Sequence, residues 1–211
     1  MIIDLEGQKL DLRSDGSMYW VEANALILAD VHLGKANHFR KNGIAIPLSV
    51  QQDNYQRLIS AFDETKPDQV FILGDLFHSQ KNKSWELFEA LIRKTQARLN
   101  LILGNHDIID ELEFKEIGVE VHPEGLEVGP FELRHHPVDN KRPHYVLCGH
   151  VHPAVKLRGK GRQSIRLKCF HFSENQGILP AFGAFTGMHS IKTEKGDSVY
   201  ALSENSVIKK Q

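Results

Sequence analysis

Five short segments carry side chains of the kind that bind metal ions: Asp30-Val31-His32, Gly74-Asp75, Gly104-Asn105-His106-Asp107, His135-His136-Pro137 and Gly149-His150-Val151-His152. The donors are carboxylate, amide oxygen and imidazole, with no thiolate among them. Such a set suits Mn²⁺, Fe, Zn²⁺, Co²⁺ or Ni²⁺ rather than Ca²⁺ or an iron–sulfur cluster. Side chains two positions apart, as in Asp30 and His32 or His150 and His152, leave extended backbone on the same side, so each pair can converge on one ion. Asp75 falls between histidine-bearing segments and is the natural bridging ligand. Two ions about 3.5–4 Å apart generate a hydroxide at neutral pH and clamp the attacking and leaving oxygens of a displacement at phosphorus. Asn105 can coordinate, which leaves the imidazole of His106 to face substrate as a general acid or charge stabiliser. Asp107 can orient that ring.

Four of the five segments follow short apolar runs: Ala25–Ala29, Val70–Leu73, Leu99–Leu103 with Asn100 inside it, and Tyr145–Cys148. That is the layout of ligands at the carboxyl ends of neighbouring strands in an open α/β sheet. Between them, Val50, Tyr55, Leu58, Ile59 and Phe62 recur at helical spacing over Leu48–Phe62, and Lys66-Pro67-Asp68 closes the segment. Ser84–Ala97 repeats the pattern, with Ser84 as its N-cap. The first half therefore reads as βαβ units, preceded by two short strands around Ser14-Asp15-Gly16-Ser17. After Asp110, turn signals at Pro123-Glu124-Gly125, Gly129-Pro130, Gly159-Lys160-Gly161 and Glu194-Lys195-Gly196-Asp197 separate short strands, and this half reads as antiparallel β. The metal-type segments run across the change as far as His152. One site is expected from both halves, within a single domain of residues 1–211.

Composition narrows the class. Of 211 residues, 41% are hydrophobic and 25% charged, the balance of a soluble domain able to bury a full core. A net charge of -1 gives no bulk attraction to nucleic acid or acidic membranes, so such a partner must be met by a local patch. Two cysteines, Cys148 and Cys169, support neither a disulfide framework nor a zinc ribbon. The first residues alternate apolar and polar side chains, unlike a signal peptide, and no apolar run is long enough to span a bilayer. The expected location is the cytoplasm.

The order D-x-H, G-D, G-N-H-D, H-x-P, G-H-x-H resembles the calcineurin-like metallophosphoesterases, whose fold is a four-layer αββα sandwich. The resemblance implies one metal held by Asp30, His32, Asp75 and His152, and a second held by Asp75, Asn105, His135 and His150. Spacing to Pro137 favours His135 over His136 and leaves the choice open. A narrower resemblance rests on His32-Leu33-Gly34-Lys35-Ala36, Phe39-Arg40, Gly43-Ile44-Ala45-Ile46-Pro47 and Leu179-Pro180-Ala181-Phe182-Gly183-Ala184-Phe185-Thr186-Gly187. These segments look like the bacterial ligase-associated metallophosphoesterases of the DNA damage response. That resemblance implies a manganese-dependent nuclease or phosphodiesterase acting on DNA, with a DNA ligase, a helicase and a second nuclease as repair partners. Phosphomonoester, nucleotide or cyclic-nucleotide hydrolysis on the same site is the alternative substrate reading. A non-catalytic metal-binding scaffold for repair proteins is the reading from another class.

Other residues carry two readings each. Lys35 and Arg40 can contact a substrate phosphate or stand as solvated loop charges. His78 can touch substrate or support a ligand, while Gly34 and Gly43 suit tight turns. Lys156, Arg158, Lys160, Arg162, Arg166 and Lys168 alternate with apolar residues around Gly159 and Gly161, as in a hairpin with one basic face. That face is either a phosphate-backbone track or an edge protected by charge. Phe182 and Phe185 stack bases or pack the core beside the site.

Overall fold

Leu26 and Leu28 point to one side of strand β4 (Ala25–Leu28) and Ala25 and Ile27 to the other, and all four are fully buried. A strand covered on both faces needs an unbroken apolar run. In the computed structural model, which describes residues 1–35, 48–78, 80–159, 161 and 163–210 and only the backbone of 48–53, the two covers are a layer of helices and a second β-sheet.

The first sheet runs in chain order: β1 (Ile2–Leu5), β2 (Gln8–Leu12), β3 (Met18–Trp20), β4, β5 (Gln69–Leu73), β6 (Arg98–Ile102) and β7 (Val119–His122). The first four pair antiparallel, and β4 through β7 pair parallel. Parallel neighbours require crossovers, and α1 (Leu48–Thr65), α2 (Lys83–Ile92) and α3 (Glu111–Glu116) lie in them. Leu58, Phe62, Trp85, Phe88 and Phe114 from these helices close over Leu26, Val70, Ile72, Leu99 and Leu101. Asn82, rather than Ser84, caps α2: its side-chain oxygen accepts from the Ser84 N–H at 2.8 Å. The helix ends at Ile92, short of the expected Ala97, because the chain must enter β6 at Arg98.

The second sheet contains β8 (Leu126–Val128), β9 (Phe131–Leu133), β10 (Tyr145–Cys148), β11 (Pro153–Arg158), β12 (Ser164–Phe172), β13 (Gln176–Ile178) and β14 (His189–Ser190) in the order β14-β11-β12-β13-β10-β9-β8. Strand β15 (Ser198–Leu202) pairs with β12, and β16 (Val207–Lys209) pairs with β15. The expected antiparallel half is mixed: β9, β10 and β13 run parallel, as do β11 and β14. The parallel pairing of β9 and β10 brings the residues that follow each strand to the same edge. Phe131, Leu133, Leu147, Phe170 and Phe172 meet Leu10, Trp20, Ile27, Phe71 and Leu73 between the sheets. The two packed mixed sheets match the α/β sandwich of the expected αββα class, and the three helices named here pack on the first sheet. Cys148 and Cys169 are buried free thiols, both pushed to high pKa by burial.

Strand β9 carries one buried carboxylate. Glu132 receives hydrogen bonds from Arg142 at 2.8 and 2.9 Å and from Arg134 at 2.7 Å. These bonds, led by that from Arg142, overcome burial and hold its carboxyl down at about 2. The two arginines flank the loop that carries His135-His136-Pro137, so the cluster ties both ends of that loop to one strand. A carboxyl whose folded pKa is depressed stabilises the fold above its unfolded range and ceases to do so as pH falls through the folded value. The melting-temperature advantage of the wild type over Glu132→Gln, measured without metal, is therefore expected to be several degrees at pH 6 and to vanish between pH 4.5 and pH 2. An advantage independent of pH would contradict this account.

Candidate metal centre

Each metal-type segment begins within two residues of a strand end: Asp30 after β4, Gly74 after β5, Gly104 after β6, His135 after β9 and Gly149 after β10. The His135 segment belongs to the pattern after all, because Phe131–Leu133 is a strand whose apolar run is interrupted by Glu132. The strand ladders also continue into the segments. Asp30 N–H donates to Gly74 C=O at 3.1 Å, and His32 N–H to Asp75 C=O at 2.9 Å.

Five of the seven expected ligands have left-handed backbone: Asp30 (φ 53), His32 (52), Asp75 (53), His150 (66) and His152 (53). Non-glycine residues seldom adopt this region, and such strain concentrates at functional sites. The turn it imposes breaks the alternation of side chains along the strand that precedes it.

The carboxylates are held from behind. Asp30 Oδ2 accepts the His150 N–H at 2.9 Å, leaving Oδ1 3.3 Å from His152 Nε2. Asp75 Oδ1 accepts the His106 N–H at 3.0 Å and lies 3.6 Å from His135 Nε2, while Oδ2 lies 3.9 Å from His32 Nε2. One carboxylate thus stands between two groups of donors, where a bridging ligand belongs. His135 Nδ1 donates to Leu73 C=O at 2.9 Å, which turns its Nε2 lone pair toward Asn105 Oδ1 and His150 Nδ1, each 3.1 Å away.

Asp30, His32 and His152 offer donor atoms within 4.8 Å of one another, as do Asp30, Asp75 and His135. Among the described residues, Asp30 Oδ1 and both ring nitrogens of His32 are buried without a hydrogen-bond partner. Burial, reinforced by the charge of Lys35, pushes His32 down to about 2, so its ring is a neutral donor. Unpaired buried polar atoms are costly, and a divalent cation satisfies this set. The residues present fit the metal.

A third group joins His135, His136 and His150. His135 is buried and bonded to backbone, whereas His136 is exposed, with its ring centroid 4.2 Å from that of His150. Burial lowers the pKa of both His136 and His150. His136 thus stands at the lip of the same group. The rings of His78 and His106 lie 4.7 Å apart, and that of His78 is 5.3 Å from His32, so His78 is part of the site wall. His106 and Asn105 are exposed at the mouth.

Asp107 does something other than orient the His106 ring. Its Oδ2 accepts from the backbone N–H groups of Asp75 (2.8 Å) and Gly104 (2.9 Å), and its Oδ1 from those of Leu76 (2.9 Å) and Phe77 (3.2 Å). The carboxylate ties the loop after β6 to the loop after β5. Removing it strands four amides, each costing about 1–3 kcal/mol where water cannot reach. Asp107→Ala is expected to lose at least about 3 kcal/mol, a fall in melting temperature of about 6–12 °C, measurable by thermal unfolding of the metal-free protein.

Sequence reasoning missed the task of the segment glycines. A Cβ at Gly74 would coincide with the His135 ring, one at Gly104 with the Asp75 carboxylate, and one at Gly149 would lie 2.7 Å from Asp30 Oδ2. Each glycine lets a ligand from another segment pack directly on backbone. Gly34 (φ 80) supplies the expected turn, while Arg40 and Gly43 lie outside the described residues.

The Leu179–Gly187 segment clamps the first loop. Phe182 N–H donates to Ala29 C=O and Gly183 N–H to Asp30 C=O, and Asn54 bridges Val31 C=O and the Ala184 N–H. Phe182 is fully buried, as core packing requires; Phe185 is 42% exposed. Lys168 leaves the expected basic track: its Nζ donates to Ala181 C=O at 2.7 Å and Gly183 C=O at 2.6 Å, and burial lowers it to about 8.

Residues 23–127 match the model of the calcineurin-like phosphoesterase family. The chain is similar over nearly its whole length to the crystal structure of Pseudomonas putida nuclease MPE, at 30% identity and a TM-score of 0.80, covering 99% of this chain and 98% of that one. The chain belongs to the calcineurin-like phosphoesterase family. As a member it is a metal-dependent phosphoesterase working with divalent ions. Two solved structures are more distant. The phosphoesterase Yfce from E. coli has 16% identity and a TM-score of 0.44, covering 87% of this chain and 96% of that one. A protein of unknown function from Aquifex aeolicus has 19% identity and a TM-score of 0.45, covering 65% and 82%. A search of curated proteins finds no match. No helix among the described residues is long and apolar enough to cross a membrane.

Proposed function

We propose that this phosphoesterase is a phosphodiesterase acting on nucleic acid, foremost DNA, with two metal ions, Mn²⁺ foremost, and a place in DNA repair, its 211 residues forming one domain. Asp75 carries the reading, because its two oxygens face separate donor groups. Asp30, His32, Asp75 and His152 would hold one ion, and Asp75, Asn105, His135 and His150 the other. When bound, the ions supply Lewis acidity at phosphorus and make water nucleophilic at neutral pH.

The remaining work falls to the chain itself. Asp30 and Asp75, each fixed by a backbone N–H, keep their donor atoms aimed before substrate arrives. His106 is anchored through its backbone and exposes its ring at the mouth, where a ring N–H can donate to the departing ester oxygen. His78 flanks that ring, with the two ring centroids 4.7 Å apart. Lys35, on the loop after His32, adds positive charge toward a phosphate; burial lowers its pKa while Asp75 and Asp30 sustain it. The relative named above is called a nuclease. That name and the ligase-associated segments support a polynucleotide substrate and a repair setting with ligase and helicase partners.

The test compares labelled single-stranded and duplex DNA with a bis-aryl phosphate and an aryl phosphate monoester, all with Mn²⁺, using wild type and Asp75→Ala. DNA cleavage lost in the variant supports the proposal. Monoester turnover with DNA left intact transfers the protein to small-molecule phosphatase work.

A further inference from the structure

We propose that the basic face of the β11–β12 hairpin is a binding track for the sugar-phosphate backbone of a polynucleotide, engaged away from the scissile bond. The inference rests on the nucleic-acid reading above and adds a second contact region to it. In the antiparallel register Lys156 faces Arg166, Arg158 faces Ser164 and Ala154 faces Lys168. Paired residues share a face, and so do residues two apart. Lys156, Arg158, Arg166 and Lys168 therefore lie on one side, with Val155, Leu157 and Leu167 packed on the other, while Lys160 and Arg162 lie outside the described residues.

The basic side continues an inner surface. Along β12, Phe172 and Phe170 are buried between the sheets, Lys168 reaches the clamp loop, and Arg166 is exposed. The hairpin thus overhangs the sandwich, and the face that is core at one end becomes a cationic wall at the other. The metal site abuts the near end. His152 immediately precedes β11, and Lys168 holds Gly183, whose N–H bonds Asp30 C=O. At about 3.3 Å per residue, Lys156 lies about 13 Å and Arg158 about 20 Å of strand beyond His152. A cleft lined by Lys35, Ala184, Phe185 and Thr186 adjoins the same clamp loop. Its exposed Phe185 offers a stacking surface of the kind single strands use.

Position, rather than the mere lack of a partner, marks these cations. Arg13, Lys81, Arg93, Lys115, Arg134 and Arg142 are all paired with carboxylates. Lys156, Arg158 and Arg166 are exposed and have no carboxylate partner among the described residues. In a chain of net charge -1, three unpaired cations gathered on one face beside a phosphoester site form a local phosphate-binding field. Edge protection alone needs no such gathering on the face that adjoins the site.

The test is the triple variant Lys156→Ala, Arg158→Ala, Arg166→Ala. Its kcat/KM is measured on labelled DNA and RNA oligonucleotides longer than the hairpin, and on a bis-aryl phosphate too small to reach it, over a range of salt. The expected result is a loss of about 10-fold or more on oligonucleotides, mainly through KM, with the salt slope reduced by about 2 (three contacts at about 0.7 each). Bis-aryl phosphate turnover stays at the wild-type level, and the charge-keeping triple Lys156→Arg, Arg158→Lys, Arg166→Lys recovers the loss. The DNA and RNA arms report which sugar the track accepts. Oligonucleotide kinetics and salt slope equal to wild type would overturn the track while leaving the nuclease reading standing. A wild type that hydrolyses the bis-aryl phosphate but neither cleaves nor binds either oligonucleotide overturns both.

Discussion

Replacing His106 by Ala is expected to lower kcat for DNA hydrolysis by about 10²–10⁴-fold while leaving metal content and melting temperature near those of the wild type. The exposed ring supports this separation, because the anchor of the residue is its backbone N–H on Asp75 Oδ1, which alanine keeps. The leaving group then distinguishes the ways the ring can act. A deoxyribose alkoxide needs a proton as it departs, whereas a nitrophenolate does not. As general acid, His106 matters greatly for DNA and little for a bis-nitrophenyl ester. As a charge stabiliser on the phosphoryl oxygens, it matters equally for both. Equal losses on the two substrates would retire the proton-transfer role, and loss of bound metal in His106→Ala would move the residue into the ligand set.

Gly74→Ala is expected to damage the site as severely as deletion of a ligand, although glycine offers no chemistry. Position 74 has φ 81, and an added Cβ would occupy the place of the His135 ring. The ring cannot step aside, since its Nδ1 is bonded to Leu73 C=O and its neighbours are Asn105, His150 and His136. The strain of left-handed alanine adds to the overlap. Displacing His135 by about 1 Å costs on the order of 10²-fold in rate. Metal content of the purified protein should fall in parallel, from two ions toward one, because the atoms nearest the added methyl belong to His135 and Gly104 rather than to Asp30, His32 or His152. Full metal content with wild-type kcat in Gly74→Ala would show that the loop can absorb the methyl group.

Legibility divides along physical lines. Four of the five ligand segments were readable because they depend on local features, an apolar strand followed by donor residues. The βαβ half followed from helical spacing between those strands. Strand β9 escaped notice because buried Glu132 interrupts its apolar run, and only Arg134 and Arg142, brought in by the fold, make that burial tolerable. The parallel pairing of β9 with β10 is a long-range choice that turn residues do not announce. Asp107 was assigned to its sequence neighbour, yet three of its four hydrogen bonds are to Asp75, Leu76 and Phe77, about thirty residues away. The glycines escaped for the same reason: the atoms that exclude a Cβ at 74, 104 or 149 arrive from other strands. Lys168 looked like one more basic residue until the fold set two backbone carbonyls before it.

The left-handed turns at Asp30, His32, Asp75, His150 and His152 bear on how long this protein lasts. At about 1–2 kcal/mol for each such residue, the five together oppose folding by an amount comparable with the whole net stability of an ordinary domain, about 5–15 kcal/mol. A cation bound by those residues in the folded state alone offsets the burden in proportion to the logarithm of its free concentration. Scarcity of metal therefore does more than idle the catalyst. It raises the unfolded fraction exposed to proteases, so the abundance of the enzyme tracks the supply of the ion it uses.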